Sequence, residues 1–214
     1  AGAKFTNLRH FELSEHDSKQ EYPSCHLQAE GVENLIKNMP NLEVLHLEAH
    51  DVEADKLFKL KLPKLRSLTV NHIHGYPLEV LAKNKTLENL ESIAFWPHAM
   101  EYDADGAYIS FEGFKALCRS KNLPKLRHLE LYCSDVGNDG LAEFVKSPLL
   151  KQIKVLDLTY GRINDDGANI LAAADLSGLE KLILSGNYLT QAGIDAIKQT
   201  GVNLEAQNQF SGDP

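Results

Sequence analysis

Positive charge, cysteine and long apolar runs are all scarce in this chain, and each scarcity excludes a class of function. Over 214 residues, 22 Lys and Arg stand against 30 Asp and Glu, a formal net charge of -8. That balance lacks the basic footprint of a nucleic-acid binder and disfavours anionic membranes for the same reason. No apolar run approaches the roughly 20 residues of a membrane span. The opening AGAKFTNLRHFEL lacks the charged-then-apolar layout of a signal peptide, so a soluble, untargeted chain is expected. Cys25, Cys118 and Cys133 are odd in number and have no CxxC spacing, which speaks against a disulfide framework or a zinc knuckle. A reducing, cytoplasmic compartment is the expectation. The phosphate-cradling pattern GxxxxGK[ST] is missing. One glycosylation sequon, Asn84-Lys85-Thr86, matters only in a secreted protein.

What the chain does have is a recurrent phrase. LRHFEL at 8, LEVLHL at 42, LRSLTV at 65, LESIAF at 90, LRHLEL at 126, IKVLDL at 153 and LEKLIL at 179 all fit one LxxLxL pattern, with Ile, Val or Phe replacing some of the leucines. Successive starts are 34, 23, 25, 36, 27 and 26 residues apart, a unit of about 25 residues with two long outliers. Each phrase is followed by a further apolar residue, a polar cap, often a glycine, and an apolar helical pattern, as in INDDGANILAAA and LTQAGIDAIKQ. The unit reads as strand, turn, helix.

Alternation in a strand turns the fourth and sixth phrase positions inward and the third, fifth and seventh outward. One such unit cannot bury its leucines alone, whereas stacked units form a parallel sheet with helices behind it. Ser110, Asn164 and Thr190 stand at expected helix N-caps, each three residues before a glycine. Gly31, Gly113, Gly140, Gly167 and Gly193 fit positions where the helix start packs closely. The expected fold class is therefore α/β, a curved solenoid forming a single domain over 1–214 with about seven to eight repeats. GVNLEAQNQFSGDP begins an eighth strand-like phrase and reads as a final cap with a frayed tail.

LEKLILSGNYLTQAGIDAI closely resembles a leucine-rich repeat of the ribonuclease-inhibitor-like class, including Asn187 at the position from which such repeats build a ladder of side-chain hydrogen bonds. In other units that position holds His16, His50, His98, Ser134 and Gly161, which breaks a continuous ladder. The order of features from LESIAFW to SGNYLTQAGIDAIKQTGVNLEAQNQ also looks like an uncharacterised family of bacterial leucine-rich-repeat proteins, which offers a fold and no activity. By analogy the resemblance implies a protein-binding surface, while function itself has to be argued from a site.

The outliers share one cause. From the last strand residue to the apolar residue before the helix the ordinary gap is five, as in Leu47 to Val52, but it is fourteen from Leu13 to Leu27 and from Phe95 to Ile109. Two inserts, 14–26 and 96–108, are thus expected to leave the same rim three strands apart, roughly 15 Å by strand spacing. Long insertions in short-looped repeats tend to be functional.

The outward positions define a candidate surface. Trp96, the only tryptophan, and Tyr132 are expected side by side on adjacent strands, with Tyr160 one residue further along the next. Glu12, His46, Glu48, His128, Glu130 and Asp157 share that face against a single Lys181. Exposed aromatics amid carboxylates point to a non-enzymatic surface for another protein or extended peptide, basic or polar in character. The alternatives are a Trp96 buried by its own insert, and a scaffold segment of a larger polypeptide whose activity lies elsewhere.

No catalytic residue, metal site or cofactor is assigned. His72 and His74 with His46 and His50 do not supply the converging set that zinc requires. Asp103-Ala104-Asp105-Gly106 opens like a calcium loop but meets Lys115 where an EF-hand needs a bidentate Glu. Cys133 lies near His128 with no evident base-orienting partner.

Overall fold

The computed structural model describes residues 4–14, 26–97 and 108–212. Eight strands form one sheet in strict chain order, β1 His10–Leu13, β2 Val44–Glu48, β3 Ser67–Asn71, β4 Ser92–Trp96, β5 His128–Leu131, β6 Val155–Asp157, β7 Lys181–Ile183 and β8 Leu204–Glu205. Every neighbouring pair is parallel, and the phrases align without slippage: Leu45 opposite Leu68, Ile93 opposite Leu129, Leu156 opposite Leu182. Parallel strands demand a crossover, and here it is helical. The helices are α1 Val32–Ile36, α2 Ala54–Leu57, α3 Leu78–Lys83, α4 Phe111–Cys118, α5 Gly137–Lys146, α6 Pro148–Gln152, α7 Asp165–Ala172 and α8 Gln191–Lys198. They pack in sequence on one side of the sheet, α3 on α4, α4 on α5, α5 on α7 and α7 on α8.

The core lies between these two layers. Leu45, Leu47, Ile93, Phe95, Leu129, Leu131, Leu156, Leu182 and Leu184 point into it and are fully buried. At β1, the edge of the sheet, the equivalent Phe11 and Leu13 are only partly buried, because one flank has no described neighbour strand.

Three helix starts are closed by a side chain. Ser110 Oγ accepts from Gly113 N, Asn164 Oδ1 from Asp166 N, and Thr190 Oγ1 from Ala192 N and Gly193 N, as the sequence predicts. Those three helices each run eight residues, whereas α1, α2 and α3 lack a side-chain cap and run five, four and six. Capping alone does not set the length, since α5 runs ten residues without a side-chain cap. The close-packing reading of the glycines holds at Gly193, where an added Cβ would lie 2.2 Å from Asp165 Oδ1. Gly31 differs, since its neighbourhood is roomy and its φ of +74° is what favours glycine there.

The tail is held as far as Phe210. Gln209 and Phe210 return to the last repeat, Phe210 N donating to Asn187 O at 2.7 Å. Two rungs of the asparagine ladder are present among the described residues. Asn187, fully buried, donates through Nδ2 to Leu158 O at 2.9 Å and accepts at Oδ1 from Ile163 N at 3.0 Å. Gln209 repeats the pattern one unit on, with Nε2 to Leu184 O at 2.8 Å and Oε1 from Leu189 N at 2.9 Å. Where Ser134 takes the place there is no rung, and its buried hydroxyl has no partner.

Candidate binding surface on the open sheet face

With helices on one side, alternate residues of every strand face away from them in three rows. Register places Glu130 beside Asp157 and Ala94 in the middle row, and Trp96 beside Asn71 in the last, at the C-terminal rim. Trp96 and Tyr132 stack with ring centroids 4.9 Å apart at 21°. Trp96 stays 48% exposed.

Tyr160 meets Tyr132 edge-on at 5.0 Å, but it arrives by a route that alternation does not predict. Thr159 is the residue due to face outward there, yet it is buried, its Oγ1 donating to Asp157 Oδ1 at 2.6 Å. Tyr160 then adopts a left-handed φ of +56°, which returns its ring to the row. Gly186 makes room for it, since a Cβ at that position would fall 2.4 Å from Tyr160 Cε1. Two further rings, which the sequence reading missed, extend the strip: Phe210 lies 5.8 Å from Tyr160 and 5.5 Å from Tyr188. The available signal was Gln209, which occupies the ladder position of the eighth phrase and so brings its neighbour Phe210 to this rim.

Below the strip lie the carboxylates. Glu130 is half-buried, and its pKa is raised first by that burial and then by the adjacent charge of Asp157. His128 and Lys181 pull in the other direction more weakly, and Lys181 is also bound to Glu205 at 2.8 Å. The remaining candidates sit apart from this centre. Glu12 approaches His46 Nδ1 at 3.8 Å and His10 at 3.4 Å, while Glu48 lies 3.4 Å from His72 Nε2, all on β1 to β3 or just beyond. His128 is in the first row, at the opposite rim from Trp96. The structure thus gathers Trp96, Tyr132, Tyr160, Glu130 and Asp157, and leaves Glu12, His46, Glu48 and His128 in separate places on the same face.

Inserts 14–26 and 96–108 fall largely outside the described residues, as do His16, His98 and the Asp103–Gly106 stretch. Their described flanks, Ser14 and Pro97, follow the C-terminal ends of parallel strands β1 and β4, the same rim as the aromatic strip.

Among the described residues no three His, Cys, Asp or Glu side chains converge to hold a metal, and no helix is long and apolar enough to cross a membrane. Burial pushes the Cys133 thiol up to about 11 and, at the end of α4, that of Cys118 up to about 12, the reverse of what a nucleophile needs. A consequence follows for alkaline stability. The unfolded Cys118 thiol loses its proton near pH 9 while the folded one keeps it, so stability is intact below pH 9 and lost as pH rises toward 12. At pH 10 the loss from one such group is about 1 kcal/mol. Urea unfolding at pH 8 and pH 10 should show this fall, with a shallower one for Cys118→Ala; equal slopes would refute the assignment.

Comparison with known proteins places this geometry. No family model matches the chain. NLR family CARD domain-containing protein 4 of Xenopus tropicalis is 25% identical over 183 residues, 79% of this chain and 17% of that protein. A solved structure from Bacteroides fragilis superposes with a TM-score of 0.58 at 20% identity, over 86% of this chain and 51% of its own. TLR13, solved as a complex with ssRNA13, gives 0.50 at 21% identity, over 81% of this chain and 23% of its own. The fold is a leucine-rich-repeat solenoid. The chain spans about a sixth of the curated relative and about half of the Bacteroides structure, so a leucine-rich-repeat segment of this size is what they share.

Proposed function

We propose that this solenoid is a non-enzymatic docking module whose open sheet face, bounded by inserts 14–26 and 96–108, holds another protein or an extended peptide of basic or polar character. The observation that carries the reading is the ring strip from Trp96 to Tyr188, exposed at its tryptophan end and lying beside the Glu130 and Asp157 carboxylates. Large, rigid rings give contact area at little entropic cost, and a carboxylate pair that repels itself gains from an incoming cation. The same pair opposes a phosphate backbone, so the strip is read as a protein surface although one structural relative was solved with RNA.

Affinity capture from the source cell with wild type, Trp96→Ala and Glu130→Lys, followed by binding measurements on what is recovered, tests the reading. Trp96→Ala should weaken the partner about thirtyfold, the loss of an interface anchor of about 2 kcal/mol. Glu130→Lys should also weaken it, more so at low salt than at high salt. Unchanged affinity in both variants would remove the face from consideration. A second reading, a scaffold segment of a longer polypeptide, is supported by the partial coverage of the relatives and by the half-buried Phe11 and Leu13 at the β1 edge. Mass analysis of the cellular gene product decides between a module that acts alone and one that is part of a larger chain.

A further inference from the structure

At the rim opposite the aromatic strip the open face carries a second set of charges. The residues one position before strands β2 to β7 line an open trough together with Val44, Ser67, Ser92 and His128 of the first outward row. Their signs alternate along the sheet except at β5 and β6, where Arg127 is followed by Lys154. Every carboxylate of the trough has a cation. Glu43 meets Arg9 at 3.3 Å, Glu91 takes Arg66 through two bonds of 2.9 and 3.1 Å, and Glu180 lies 3.7 Å from Lys154. Arg127 is the cation left over: its Nη1 donates to the backbone oxygens of Pro124 and Leu126, and it has no salt-bridge partner among the described residues.

Three unlike patches therefore succeed one another along β5. Arg127 and His128 lie at the first row, Glu130 beside Asp157 at the middle row, and Tyr132, stacked on the exposed Trp96, at the last. Glu130 is half-buried yet open to solvent, and it accepts no hydrogen bond among the described residues. His128, Glu130 and Tyr132 are two residues apart, so the patches repeat at about 6.6 Å, which is also the repeat of alternate side chains in any extended chain.

We propose that this face reads an extended peptide of a partner protein, laid along β5, whose alternate side chains are acidic over Arg127, basic over Glu130 and Asp157, and apolar over Trp96 and Tyr132. The inference rests on the docking reading above and deepens it, adding an acid-binding subsite and an order of side-chain classes. Order matters because exchanging the two charges of the peptide sets its carboxylate against Glu130 and Asp157 and its cation against Arg127, two repulsive meetings in place of two attractive ones. A wholly apolar peptide would cover the Glu130 carboxylate without supplying a donor. A wholly basic one would meet Arg127 with like charge.

Trp96 is the only tryptophan and stands at the apolar end, so its fluorescence follows docking. The probes are acetyl-Glu-Gly-Lys-Gly-Leu-amide and acetyl-Leu-Gly-Lys-Gly-Glu-amide, titrated into the intact chain. They present the same order in opposite chain directions, and the tighter of the two serves as the reference. It should give a saturable change. The peptide of the same composition and direction with Lys and Glu exchanged should bind at least about fivefold more weakly at low salt, with the gap closing as salt is raised. Gln in place of the reference peptide's Glu should cost about threefold. Arg127→Glu should weaken the reference peptide about fivefold and make the protein prefer a version with Lys at the acidic position. Where that variant does not fold, the Gln peptide tests the same contact on the unaltered protein. No saturable change, equal affinity for the exchanged peptide, or equal affinity for the Gln peptide would each overturn the proposal. If any of these is found while Trp96→Ala and Glu130→Lys still weaken the captured partner, the docking face stands and the order of side chains alone falls.

Discussion

Replacing Asn187 with alanine is expected to destabilise the fold by about 2 to 4 kcal/mol, although the residue is polar and carries no charge. Its amide is a brace between units. Nδ2 satisfies Leu158 O and, at 3.3 Å, Ser185 O, while Oδ1 satisfies Ile163 N, and the side chain is wholly removed from water. Alanine would leave a donor and an acceptor of the preceding turn facing each other across a space with no partner for either. Each orphan costs about 1 to 3 kcal/mol, against a net gain of only about 1 for an ordinary hydrogen bond. Urea denaturation is the measurement, read as a lowered midpoint. Gln209→Ala, which removes the same pattern from a half-buried site, should cost less. A loss below about 1 kcal/mol at Asn187 would show that the turn finds other partners.

Neighbouring residues on β4 should behave in opposite ways. Phe95 is fully buried, with ring centroids 4.8 Å from Tyr76 and 5.4 Å from Phe58, and Tyr76 is itself fixed by its hydroxyl donating to Val70 O at 2.8 Å. Phe95→Ala should therefore cost about 3 to 5 kcal/mol through lost burial and the cavity left between two rings. Trp96→Ala gives up a stack on Tyr132 at an exposed position and should cost about 1 kcal/mol of stability. Thermal melting of the two variants separates them, with Phe95→Ala melting far lower. Comparable losses would mean that Trp96 is a packing residue after all and that the docking face has been placed on the wrong side chains.

Much of this was legible in the chain. Alternation in LESIAFW puts Phe95 and Trp96 on opposite faces, and the recurrence of the phrase every 25 residues or so aligns Trp96 with Tyr132. The caps at Ser110, Asn164 and Thr190 were readable because capping depends on residues within three positions of each other. Less accessible was the path of Tyr160. Its outward ring depends on a left-handed backbone, on Thr159 turning in to Asp157, and on a glycine 26 residues later, none of which leaves a local mark. The carboxylate pair was visible as two acidic outward positions, but the half-burial that raises the pKa of Glu130 depends on the packed surroundings and leaves no mark in the pattern.

By itself, then, the sequence determined the repeat, the parallel order of the strands, the buried and open faces of the sheet and the acidic character of the open one. Those properties follow from period and alternation, which act between residues near each other in the chain and are multiplied by stacking. Only the tertiary structure decided which side chains close each turn and which remain open. Gln209 acts as a second rung and Phe210 joins the aromatic strip because the tail folds back against the preceding repeat. Hydrogen bonds and ring contacts are satisfied or left open by atoms brought together from different units, at separations and angles that no one-dimensional pattern carries.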